Sequence, residues 1–237
     1  VRAALRVLPI TVNETANRIS ITAFRSIALS RAAIIHDAAD LIGATPSTFE
    51  LAILQAVDGV RFRENSASYR FRALAAVTAA ARTIAPSEAL SISAYDSLAM
   101  AAASIPPAMR GDFLSSFRHD VEVLRRGTST LELMLSPLWY REPNWATIEW
   151  QKARGQLQSH DWRFWIDWYE HILRPEPSQS VELIFEIQLT DTRVTVWRRS
   201  VTQVAAHLNY LADNTLSSAS SAPQPLADLL VPQCSTL

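Results

Sequence analysis

Asp161-Trp162-Arg163-Phe164-Trp165-Ile166-Asp167-Trp168-Tyr169-Glu170-His171-Ile172-Leu173 repeats tryptophan at a spacing of three. At about 100° per residue, Trp162, Trp165, Trp168, Tyr169, Ile172 and Leu173 share one broad arc of a helix. Arg163, Asp167 and Glu170 gather opposite, and Arg163 and Asp167 are spaced for an i,i+4 ion pair. Asp161 reads as the N-cap and Pro175 as the stop. A helix this apolar must be covered by other elements. The chain is therefore expected to be all-α, a multi-helix bundle built around these rings.

The remaining sequence supports that class. Five glycines in 237 residues are too few for a fold of tight hairpins or for a phosphate loop. Ile19, Phe24, Ile27, Ala28, Ile34 and Ile35 give a helical pattern between about residues 14 and 36. Thr45-Pro46-Ser47 is a helix start with Glu50 in its first turn. Residues 66–85 and 87–105 read as two alanine-rich helices split at Pro86, with Ser87 capping the second. Phe113, Phe117, Val121 and Leu124 mark another amphipathic helix, closed by Arg125-Arg126-Gly127. Residues 131–139 read as a connector. Asn144 is expected to cap a helix bearing Trp145, Ile148 and Leu157.

Val181, Leu183, Phe185, Ile187 and Leu189 alternate with mostly polar neighbours, so residues 180–197 can be read as one short β-hairpin. The helical alternative puts Ile184 and Phe185 on one face. Val201, Val204, Leu208 and Leu211 return to helical spacing. Three regions follow: an alanine-rich helical region at 1–127, a tryptophan-rich helical region at 128–216 packed on it as one domain, and a flexible tail at 217–237.

Composition bounds the function. A net charge of −1 and a pI near 6.6 argue against a general nucleic-acid binder. Lys152 is the only lysine, so positive charge is almost all arginine. Coding bias explains this, as does selection for planar forks that grip carboxylates or phosphates. Cys234 stands alone, which excludes an intrachain disulfide and a thiolate metal cluster. Residues 1–9 do not read as a signal peptide, and charges interrupt the alanine-rich centre before it reaches membrane-spanning length. A soluble, cytoplasmic protein with no membrane partner, cofactor or metal is expected.

Three pieces together resemble a group of bacterial tryptophan-rich, alanine-rich helical proteins with no established activity. These are Thr22-Ala23-Phe24-Arg25 ahead of the alanine-rich centre, Pro137-Leu138-Trp139 leading to Trp145 and Trp150, and Trp162-x2-Trp165-x2-Trp168-Tyr169. The resemblance extends over residues 5–211, with Trp197, Val204 and Leu208 at matching positions. It departs at Arg174-Pro175-Glu176-Pro177, where the group has a glycine-containing turn. The resemblance implies an accessory or adaptor role in a larger assembly, and helix rather than hairpin at residues 180–190.

Several constellations offer chemistry, each with a plainer reading. His36-Asp37, His119-Asp120 and His160-Asp161 have the dipeptide of metal-dependent phosphohydrolases, yet no matching set of four ligands is fixed. Arg31-x4-His36 has the spacing of HEPN-type RNases, and Arg154-x5-His160 fits a looser form. There an arginine would stabilise phosphorane charge and a histidine would move the proton. Arg61, Arg63, Tyr69, Arg70, Phe71 and Arg72 offer stacking rings beside cations, or a solvated face over a core phenylalanine. No Gly-x-Ser-x-Gly elbow or dinucleotide loop occurs. The expected function is a non-enzymatic protein-interaction or adaptor domain. Trp139, Tyr140, Arg141 and Trp145 are its candidate partner-binding residues, with Trp139 and Trp145 alternatively filling core. Arg31 and His36 would be catalytic in the nuclease alternative. Self-association is left open.

Overall fold

The computed structural model describes residues 1–12, 17–36, 65–82, 90–159, 161–175 and 199–221. Among them the secondary structure is helical, without a strand. In chain order the helices are α1 (Arg2–Val7), α2 (Asn17–His36), α3 (Asn65–Arg82), α4 (Leu90–Ala103), α5 (Arg110–Arg125), α6 (Thr130–Leu135), α7 (Asn144–Gln158), α8 (Arg163–Leu173) and α9 (Val201–Ser221). Short 3-10 turns at Leu8–Thr11 and Pro107–Met109 follow α1 and precede α5. The suggested hairpin at 180–197 and the helix start at Thr45 lie outside the described residues. So does most of the proposed tail, but α9 carries helix to Ser221, past the serine-rich start of that tail.

The tryptophan helix is core. Trp162, Trp165, Trp168, Tyr169, Ile172 and Leu173 are all buried, joined by Phe164 and Ile166. Phe24 of α2 meets Trp165 edge-on at 5.6 Å, and Phe164 and Trp168 flank the same ring at 4.8 and 5.6 Å. Edge-to-face geometry places positive ring edges against negative faces, which stabilises beyond area burial alone. One cluster of buried side chains runs through this helix from Ala4 to Leu208.

Alanine sets the spacing elsewhere. α3 and α4 pack closely because Ala73, Ala76, Ala80 and Ala101 present only methyl groups. Ser97 Oγ donates to the Ala76 carbonyl at 2.8 Å, and Arg72 Nη1 donates to that of Ala103 at 3.1 Å. Residue number falls on one helix as it rises on the other, so the pair is antiparallel.

Helix ends depart from expectation at three places. Asp161 is not the cap of α8: Trp162 holds that position without a side-chain bond, and Asp161 lies one residue earlier at φ 56°. Asn209 of α9 supplies the missing acceptor, its Oδ1 taking the Phe164 N–H at 3.1 Å. Pro143, not Asn144, caps α7. At the start of the expected connector, a helix forms instead: Ser129 and Glu132 close a capping box that starts α6. Gly127 fares as expected at φ 95°. There Thr128 N–H reaches the Val123 carbonyl and Gly127 N–H that of Leu124, the pairing of a Schellman end.

Candidate functional site

The four candidate partner-binding residues divide. Trp139 and Trp145 are 6% and 8% exposed and meet edge-on at 5.5 Å. Both rings belong to the buried cluster, which is the core-filling reading that their sequence also allowed. Arg6 lies over the Trp139 ring at 5.3 Å. Tyr140, by contrast, is 59% exposed and stacks on His119 at 4.0 Å, with the Arg141 guanidinium 5.9 Å from its ring.

Arginines near the start of the chain explain why Trp139 is held. Arg2 grips both oxygens of Asp120 at 3.2 Å and donates to the carbonyls of Leu133 and Pro137 at 2.7 Å. Arg6 pairs with Asp120 at 2.8 Å and puts two N–H groups on the Leu138 carbonyl. Arg31 adds a donor to the Met134 carbonyl at 3.3 Å. The last carbonyls of α6 and the irregular backbone at 136–138 thus find buried donors, which only a multi-donor fork can supply so densely. Burial lowers the Arg6 guanidinium to about 10, against the opposing pull of Asp120.

Residues of two sequence motifs are taken up in these contacts. Asp120 of His119-Asp120 is occupied by two guanidiniums, and His119 by Tyr140. Among the described residues no group of three or more His, Cys, Asp or Glu could hold a metal ion. Arg31 is 1% exposed on the inner face of α2, with its guanidinium on a main-chain carbonyl. His36 ends α2, and its side chain lies outside the described residues, as does His160.

An open cleft of about 520 Å³ lies between α7 and α8, with Trp150 and Leu173 in its lining. Its charges largely neutralise one another: Arg154 pairs with Glu170 at 3.1 Å and Arg174 with Glu142 at 3.2 Å. Burial, then the neighbouring Glu170, raises the Asp167 carboxyl above its usual range. A self-paired rim of this kind ties α7 to α8 and offers an incoming ligand little net charge.

The strongest unclaimed surface is on α5. Phe113, Ser116 and Asp120 face inward, while Leu114, Val121 and Leu124 stand 37%, 38% and 41% exposed. With half-buried Phe117 they occupy i, i+3, i+7 and i+10, an arc of about 80°. Exposed Arg118 and Arg125 border that arc on the side away from the core. The sequence stripe Phe113, Phe117, Val121, Leu124 is therefore one face, covered at its Phe113 end and open to solvent at Val121 and Leu124.

No helix of the described residues is long and apolar enough to cross a membrane. Comparison of the chain with known protein families, curated proteins and solved structures finds no match.

Proposed function

We propose that this chain is a protein-interaction domain of the adaptor type, and that α5 carries its docking face. The supporting observation is the solvent-exposed row Leu114, Val121 and Leu124. Its spacing is that of a coiled-coil seam, which a second amphipathic helix covers. Arg118 and Arg125 beside the row favour a partner helix bearing Glu or Asp at the edge of its apolar face. Tyr140 and Arg141, both exposed and of residue types that dominate interface energetics, are contacts for the same role on the other flank of α5. A catalytic Arg31 needs an open cleft, and 1% exposure does not provide one, so no observation favours the nuclease.

Two synthetic amphipathic helices with the same leucine face, one flanked by Glu and one by Lys, test the reading by fluorescence anisotropy. The Glu helix should bind about tenfold or more tightly than the Lys helix, and salt should weaken it. Val121→Asp should abolish binding at an unchanged melting temperature. Equal affinity for both helices, or full binding by the Val121 variant, would overturn the proposal. So would sedimentation showing a stable dimer broken by Val121→Asp, since a second copy would then own the row.

A further inference from the structure

Away from α5, a cavity of about 300 Å³ opens where the first 3-10 turn, α3 and α7 meet. That volume is at the small end of ligand-binding cavities. Its apolar lining is made by Ile10, Val12, Pro106, Met109 and Trp145. Its polar lining includes Tyr69 and Arg70 from α3 and Glu149 and Lys152 from α7. Trp145, Glu149, Lys152 and Gln156 recur at i, i+4, i+7 and i+11, so one stripe of α7 lines the cavity.

The charges in this lining are uneven. Lys152 holds Glu149 at 2.7 Å, and the two cancel. Arg70 makes no ion pair among the described residues, which leaves one half-buried guanidinium at the cavity wall. A guanidinium fork matches a carboxylate in shape and charge and binds it through paired N–H donors. The apolar lining gains from covering a ring or a branched chain. We propose that this cavity binds a small monocarboxylate with an apolar body, its carboxylate on Arg70 and its body against Ile10, Met109 and Trp145. The site is independent of the α5 docking face.

Phenylacetate, 2-phenylethanol and 2-phenylethylamine share one body and differ in the head group, so they test the assignment directly. Titration calorimetry should rank phenylacetate first, with the alcohol and amine weaker by about tenfold or more. Lys152, the only lysine, gives a second readout: phenylacetate should slow its modification by an amine-selective reagent, followed on the α7 peptide. Arg70→Gln should remove the preference for the acid while leaving the melting temperature unchanged. Met109→Trp, at an exposed position on the cavity wall, should block all three compounds. The proposal is overturned if the amine or alcohol binds as tightly as the acid, or if Arg70→Gln leaves the ranking intact. Absence of heat and of Lys152 protection with millimolar phenylacetate overturns it equally.

Discussion

Tyr169 donates its phenolic hydrogen to the carbonyl oxygen of Leu5 at 3.0 Å, joining residues 164 positions apart. The ring is 1% exposed and lies tilted against Trp150 and Phe24, so this bond ties the tryptophan helix to α1 from inside the core. Leu5 O also accepts from Leu8 N–H. Tyr169→Phe therefore removes one of two bonds to that carbonyl and should cost about 1 kcal/mol at pH 7.

Burial, with a smaller push from Glu142, raises the Tyr169 phenol far above its usual range, while Arg6 opposes. In the unfolded chain the phenol ionises near pH 10, whereas in the fold it stays protonated. The stability this provides is complete below about pH 10 and falls as pH rises beyond it, because only the unfolded state releases the proton. Urea unfolding of wild type and Tyr169→Phe at pH 7 and above pH 10 should show the gap closing at high pH. Parallel loss in both proteins would place the alkaline sensitivity elsewhere.

Asp120 is the only carboxylate paired with Arg2 and Arg6 in the described structure, and all three side chains are at least nine-tenths buried. Asp120→Asn keeps the shape but leaves two guanidiniums facing a neutral amide. Breaking one side of a buried ion pair costs about 3–5 kcal/mol. Chemical denaturation should show a loss of that order, independent of chelators. A near-neutral variant would mean that the carbonyls of 133–138 alone satisfy both arginines.

The tryptophan arc was legible because large apolar side chains at helical spacing admit one environment. Arg2, Arg6 and Arg31 were not, since their partners lie more than 100 residues away and no local pattern encodes them. Ser129-x-x-Glu132 did carry its signal, a capping box hidden by the irregular residues that follow. On α5, periodicity identified which residues share a face, but not whether that face is covered. Trp139 and Trp145 show the converse: the junction of connector and helix suggested exposure, and packing of the two rings on each other, with Arg6 over Trp139, decided otherwise.

Asp161 occupies left-handed backbone at φ 56°, where a side chain costs about 1–2 kcal/mol and glycine does not. Asn209 holds this turn from across the bundle, its Nδ2 donating to the Asp161 carbonyl at 2.8 Å while its Oδ1 caps Phe164. Asn209→Ala deprives both groups of a partner and should cost about 1–3 kcal/mol. Asp161→Gly relieves the backbone and forfeits only the exposed 3.5 Å contact with Arg163, a pair of little worth in solvent. It should leave stability unchanged or raise it, whereas a β-branched Asp161→Val should lower it by about 1–2 kcal/mol. Urea midpoints of the three variants separate the causes. If glycine destabilises as much as valine, the carboxylate and not the turn geometry matters at the start of the tryptophan helix.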